Sequence, residues 1–224
     1  MGMISTLKRA VPDGDRQLGI YAGPFRGGVF HSNPRVSLRK MLGLYEHELN
    51  GWLSAAMQKV DLVIDVGGND GYFTFGAAAA MKRAGSPRIV TFEPLPNHFE
   101  QLRIARQKSG YTEQEIRLIN LLVGATEQAG MTTLDLLPEA NADHCALIKI
   151  DVEGAELDVL AGAKSWIAPG NHFLIEVHDL SFFEQIDNQF AHHGIKLDRV
   201  YQQPLPILGR EYRDADNGWL VTRL

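Results

Sequence analysis

One stretch, Asp61-Leu62-Val63-Ile64-Asp65-Val66-Gly67-Gly68-Asn69-Asp70-Gly71, limits what this chain can fold into more than any other. Leu62 to Val66 has the length and β-branched content of a buried strand. Gly67, Gly68 and Gly71 then allow a tight turn in which backbone passes close to a ligand. Tyr72 to Arg83 is alanine-rich and reads as a helix. Strand, glycine turn and helix start together predict a nucleotide-type site at the carboxyl edge of a parallel sheet.

The units that follow repeat this pattern. Arg88 to Glu93 reads as a strand, Asn97 to Gly110 as a helix and Ile116 to Val123 as a third strand. After a polar connection at Gly124 to Gly130, Met131 to Leu137 is either an extended piece or one helical turn. Ala146 to Val152 is a fourth strand, Glu156 to Lys164 a helix, His172 to Val177 a fifth strand, and Phe182 to His193 a helix stopped by Gly194. Ile195 to Gln202 and Trp219 to Leu224 read as an antiparallel pair. The alternation predicts an α/β, doubly wound, Rossmann-like sheet with helices on both faces and a ligand crevice beyond the strand carboxyl ends. Upstream, Leu18 to Ala22 and Gly28 to His31 read as a hairpin. Leu38, Leu42, Tyr45, Leu49, Leu53 and Met57 recur at helical spacing, predicting one or two amphipathic helices over the sheet edge or site mouth. The expected division is an N-terminal extension, residues 1–58, packing on a main domain of residues 59–224.

At 224 residues and 45% apolar content, one larger α/β domain suffices. A net charge of −5 and a pI near 5.9 argue against bulk attraction to nucleic acid or anionic lipid. A small-molecule partner is therefore expected, with self-association left open. The single cysteine, Cys145, excludes an internal disulfide and a thiolate zinc cluster, and its apolar setting predicts a buried, inert thiol. Met1 to Ala10 lacks the apolar segment of a secretory leader and no run reaches membrane length, so a cytoplasmic chain is expected.

Four strands end in acids: Asp65, Glu93, Asp151 and Glu176. The topology gathers those ends on one rim. Glu93 lies 22 residues past Gly71, the spacing at which nucleotide-binding βαβ units hold ribose hydroxyls. The turn itself departs from the dinucleotide pattern, because Asp70 beside a phosphate would be repelled. A ribose-bearing ligand with no phosphates and a positive centre, such as S-adenosylmethionine, suits an acid-lined turn better.

The pieces Gly43-Leu44-Tyr45-Glu46, Asp65-Val66-Gly67-Gly68-Asn69-Asp70-Gly71, Phe92-Glu93-Pro94 and Thr133-Leu134-Asp135 share a further likeness. With Ile148-Lys149-Ile150-Asp151-Val152-Glu153-Gly154-Ala155-Glu156, the most specific of them, and Ile175-Glu176-Val177-His178, the chain resembles the FkbM-like family of class I S-adenosylmethionine-dependent methyltransferases over about residues 43 to 224. The resemblance implies a seven-stranded, mostly parallel sheet whose last strand is antiparallel. It implies that Asp65, Gly67, Gly68, Asn69 and Gly71 lie against the methionine part of the cofactor, that Glu93 takes the ribose, and that Pro94 and Asp151 also border it. It further implies O-methylation of a hydroxyl on a sugar-containing or other small metabolite. Two departures stand out: Gly124 to Thr132 is shorter than the family's usual excursion, which thins the adenine-side wall, and Gly68 replaces a common alanine.

Methyl transfer to a hydroxyl needs alignment and a base. The catalytic candidates are Asp151, Glu176 and His178, with Glu153 and Lys149 alongside. Histidine is the type best matched to neutral pH. Lys149, inside an apolar strand, is expected to be paired with an acid. The same carboxylates and imidazole suit Mg²⁺ or Mn²⁺, but no spacing demands a metal and none is assigned. Two rival readings stay open: a nucleotide-dependent oxidoreductase using the turn for NAD, and a cofactor-binding, methyltransferase-like protein without activity.

Overall fold

The computed structural model describes residues 12–141, 143–205, 209 and 218–224. The expectation for Met1 to Ala10 falls outside them, as does most of the Gln202 to Asn217 loop. The chain begins with an antiparallel hairpin, β1 (Arg16–Gly19) and β2 (Val29–Ser32), in which Leu18 stands opposite Phe30. Two short helices follow, α1 (Leu38–Met41) and α2 (Asn50–Ala56). Then come β3 (Leu62–Val66), α3 (Tyr72–Ala84), β4 (Ile89–Phe92), α4 (Pro96–Lys108) and β5 (Ile116–Ile119). A small parallel pair, β6 (Leu122–Val123) and β7 (Met131–Thr132), precedes β8 (Ala146–Ile150) and α5 (Glu156–Ala161). The chain closes with β9 (His172–Val177), α6 (Phe182–His192), β10 (Leu197–Val200) and β11 (Gly218–Thr222).

Seven of these strands form one sheet in the order β10-β11-β9-β8-β3-β4-β5. Every neighbouring pair from β9 to β5 is parallel, while β11, the last strand, runs antiparallel to both β9 and β10. The expected doubly wound sheet with an antiparallel last strand is thus observed. The chain leaves β3 toward β4 and β5, then returns to β8 on the other side. That reversal opens the crevice in which such sheets bind ligands.

Strand alternation sorts the core into two layers. Leu62, Ile64 and Val66 of β3 join Ile148, Ile150, Val159, Leu160, Ile186 and Phe190 beneath α5 and α6. Val63 faces the opposite layer, with Tyr72, Phe75, Met81 and Leu102 from α3 and α4 and Phe25 and Phe30 from the N-terminal segment. Residues Tyr72 to Met81 of α3 are all buried, because the sheet covers one side and the N-terminal hairpin the other. Gly76 makes that second contact possible: a Cβ there would lie 2.5 Å from Phe25 Cγ.

Three expectations need correction. The third strand stops at Ile119 because the Asn120 amide turns aside to donate to the Glu93 and Pro94 carbonyls, at 2.7 and 3.0 Å. The amphipathic stretch does form two helices, α1 and α2, with a 3₁₀ turn over His47–Leu49 between them. Gly43 (φ 66°) and Glu46 (φ 48°) break it with left-handed backbone, which no helix interior accepts. The helix begun at Glu156 ends at Ala161, since Gly162 packs onto the Gly124 carbonyl, where a Cβ would approach to 2.1 Å. Cys145, just before β8, is only half-buried; its thiol donates to the Gly170 carbonyl, and burial raises its pKa. No helix among the described residues is long and apolar enough to cross a membrane.

Candidate active site

The β3 turn is built to press backbone against backbone. Gly67 has φ 92°, and a Cβ on it would fall 2.0 Å from the Asp151 carbonyl oxygen. Its N–H and that of Gly68 both donate to the Phe92 carbonyl at 3.0 Å. Asn69 takes the left-handed conformation (φ 45°) that asparagine tolerates better than most residues. Its N–H then donates to Glu93 Oε2 at 2.7 Å. Glu93, nearly fully buried, accepts a second backbone N–H, from Leu95, at 2.9 Å. Two backbone donors hold the carboxylate still, and each oxygen retains acceptor capacity.

Beside this carboxylate lies a cleft of about 370 Å³. Gly67, Asn69, Glu93, Pro94 and Asp151, all expected around a cofactor, line it. Its apolar wall is made by Leu95, Leu121, Leu122, Val123 and Val152. The short Gly124 to Thr132 segment therefore does not leave that side open, because the residues just before it supply the wall. His98 is the one basic lining residue of the cleft among the described residues, and its Nδ1 stands 4.0 Å from Glu93 Oε1.

Three other residues expected at the cofactor do not border the cleft. Gly68 packs inward, where a Cβ would meet Thr91 Cγ2 at 2.5 Å and Leu102 Cδ1 at 2.9 Å. Gly71 is the residue ahead of α3, set against the Phe75 ring with φ 85°. Asp65 is fully buried below the turn, accepting from Thr74 Oγ1 at 2.6 Å. Asp70 also turns away: one oxygen accepts from the Tyr72 N–H at 3.1 Å and the other pairs with Lys40. Paired with Lys40, Asp70 does not repel a phosphate as its sequence position alone suggested.

Register explains the ion cluster beneath the rim. Asp65 of β3 stands opposite Lys149 of β8 in the parallel ladder, so both side chains emerge on the same face. Lys149 Nζ lies 3.4 Å from Asp65 Oδ1, 3.1 Å from Asp151 Oδ2 and 3.2 Å from the Gly67 carbonyl, to which it donates. Burial works against the charge on Lys149, but Asp151 and Asp65 override it and raise its pKa. Burial raises Asp65, with Lys149 and Thr74 opposing. Burial also opposes ionisation of Asp151, yet Lys149 holds its pKa below the ordinary value. Glu46, at its left-handed position, adds negative charge near Lys149.

His178, one residue past β9, completes the rim. Its Nδ1 is 2.6 Å from Glu156 Oε1, and its Nε2 is 3.4 Å from Glu153 Oε2 and 3.9 Å from Asp151 Oδ1. Burial disfavours the imidazolium, but the hydrogen bond to Glu156 and the charges of Glu176 and Asp151 raise the His178 pKa. The catalytic candidates Asp151, Glu176 and His178 thus stand together. Asp151, Glu153 and His178 bring one donor atom each within 4.8 Å of one another. Of these three, Asp151 also has the Lys149 ammonium 3.1 Å away.

Residues 109–197 match the family model described as the methyltransferase FkbM domain. The family resemblance holds there. The matched span, less than half the chain, covers β5 to α6; Gly43 to Glu46 and the β3 turn lie outside it. A crystal structure of methyltransferase FkbM from Methylobacillus flagellatus superposes with a TM-score of 0.58 at 15% identity, over 98% of this chain and 58% of that one. The chain thus spans less than two thirds of that protein's length. A Haemophilus influenzae protein named as a methylase gives 0.56 at 15% identity, over 93% of this chain and 99% of that one. An rRNA methylase from Streptococcus thermophilus gives 0.50 at 10% identity, over 79% and 96%. The shared property is the class I methyltransferase fold. No curated protein matches the sequence.

Proposed function

We propose that this chain is an S-adenosylmethionine-dependent methyltransferase acting on a hydroxyl of a small, sugar-containing or related metabolite. The observation that carries the reading is Glu93, a carboxylate clamped by two backbone N–H groups at the edge of a cleft beside the glycine turn. The cleft's size falls in the roughly 300–1,000 Å³ range of small-molecule pockets. Its donor set suits a nucleoside carrying positive charge rather than phosphates: Glu93, Asp151 and Glu153 line it, with His98 the basic lining residue. When bound, S-adenosylmethionine supplies a methyl group on a positively charged sulfur.

The chain's own residues would divide the work as follows. Glu93 accepts from ribose hydroxyls, while Leu95, Leu121, Leu122 and Val123 exclude water from the base. Asp151 and Glu153 favour positive charge at the other end of the cleft. His178 Nε2 takes the proton of the acceptor hydroxyl as it attacks. Tyr45 and Glu46 border the acceptor side; the Tyr45 ring packs edge-on against Tyr72, 5.4 Å between centroids.

Calorimetric titration with S-adenosylmethionine tests the cofactor half. Glu93→Ala removes an ionised acceptor worth about 1.5–3 kcal/mol per hydrogen bond, so affinity should fall at least about tenfold. No binding by the wild-type chain, or unchanged binding by the variant, rejects the reading. Titration with NAD in parallel addresses the oxidoreductase alternative.

A further inference from the structure

The residue that most needs an explanation at this rim is Glu156. It opens α5, a short helix, yet its side chain is fully buried, a rare state for a glutamate. Oε1 receives the Gly154 N–H at 3.0 Å and lies 2.6 Å from His178 Nδ1. Oε2 is buried with no hydrogen-bond partner among the described residues. A buried carboxylate with half its acceptor capacity unused is costly, so its one side-chain partner, His178, carries its purpose.

That partner has two faces. Nδ1 points at Glu156, and Nε2 points at Glu153 and Asp151 on the rim, with Glu176 also close. In a neutral imidazole one nitrogen carries the proton and the other a lone pair. A lone pair on Nδ1 would face the Glu156 carboxylate at 2.6 Å with no proton between them. The neutral ring therefore keeps its proton on Nδ1, leaving the Nε2 lone pair directed at the rim. Glu153 contributes far less to this choice, because its side chain is 85% exposed and free to reorient.

We infer that Glu156 is a positioning residue that fixes the ring orientation and tautomer of His178, so that Nε2 is the nitrogen presented to an acceptor. The inference rests on the proposed reading of His178 as proton acceptor. It adds a residue that sequence reasoning placed in the Ile148 to Glu156 piece but gave no task. Glu156 touches neither the cleft nor the acceptor side itself and acts through the ring.

The test reads the ring directly and needs no acceptor. Nitrogen-15 spectra of histidine-labelled protein, with the His178 signals assigned by their loss in His178→Asn, report which ring nitrogen carries the proton above the pKa. The expected result is a protonated Nδ1 and a lone-pair Nε2 in the wild-type chain. In Glu156→Gln, which keeps the shape and removes the charge, the Nε2-protonated form should rise to a measurable population. Calorimetric titration with S-adenosylmethionine should give the two proteins affinities within about threefold, since Glu156 lies outside the cleft. A protonated Nε2 in the wild-type ring, or the same tautomer ratio in both proteins, overturns the inference. So does a tenfold or larger loss of cofactor affinity in Glu156→Gln, which would make the residue a prop of the whole rim. Should the variant fail to fold, the wild-type shifts alone decide. Absence of cofactor binding by the wild-type chain counts against the proposed function and leaves the tautomer result intact.

Discussion

Replacing Lys149 with methionine should destabilise the protein strongly, and more so as pH rises. The ammonium sits 3.1 Å from Asp151 and 3.4 Å from Asp65, with only 7% of the lysine side chain and none of Asp65 exposed. At an effective dielectric constant near 20, one such pair at 3.4 Å is worth about 5 kcal/mol before desolvation is counted. Breaking a buried pair from one side typically costs about 3–5 kcal/mol. For a chain of this size that corresponds to a Tm lower by roughly 6–20 °C.

The pH dependence follows from the two carboxylates. Burial raises Asp65 in the folded protein, with Lys149 and Thr74 opposing. A raised acid is most favourable below its unfolded pKa, about 3.9, and loses that contribution as pH rises through its folded value. Without Lys149, Asp65 rises further, so the deficit widens toward alkaline pH. Burial opposes ionisation of Asp151 too, but Lys149 lowers it, a contribution present above the unfolded pKa and lost as pH falls through the folded one. Removing the lysine deletes that gain mainly at the higher pH values. Both effects have the same sign. Urea unfolding at pH 5, 6.5 and 8 measures it, and adding Asp65→Asn to Lys149→Met should recover much of the loss. A deficit under about 1 kcal/mol at pH 8, or one that grows as pH falls, refutes the reasoning.

Other consequences concern packing and caps. Gly76→Ala should destabilise by about 1–3 kcal/mol in urea unfolding despite alanine's better helix propensity, because the methyl would strike the Phe25 ring; an unchanged midpoint contradicts this. Gly51→Ala, in α2 with nothing within 4 Å of the added Cβ, should stabilise by about 0.4–1 kcal/mol. Asp135 accepts the Lys164 and Ser165 N–H groups at 3.0 and 2.9 Å, so Asp135→Ala should cost about 0.5–2 kcal/mol and speed amide exchange at those two positions. Exchange left as slow as in the wild type would show that the cap is dispensable.

Several of these features were readable in the residues themselves. Leu62 to Val66, His172 to Val177 and Phe182 to His192 follow the patterning of their residues closely, because a strand buried on both faces and an amphipathic helix each leave a local periodic trace. The glycines of the β3 turn announce close backbone approach for the same local reason. Boundaries set by distant groups left no such trace. Nothing near Ile119 in sequence says that Asn120 will reach the Glu93 and Pro94 carbonyls, and nothing near Ala161 says that the Gly124 carbonyl will press on Gly162.

The site divides in the same way. From the sequence alone, four acids at strand ends, a glycine turn and a carboxylate at ribose spacing were visible, because topology sends every parallel strand's carboxyl end to one rim. Only the tertiary structure decided what each acid meets. The β3–β8 register set Asp65 against Lys149 and took it away from the cleft; Lys40, thirty residues upstream, drew Asp70 off the ligand side. The sequence places Glu156 at the start of a helix, but its burial against His178 comes from the tertiary structure. Sequence spacing fixes which face of its own strand or helix a side chain emerges from, but the partner that sets its charge and direction comes from elsewhere in the chain.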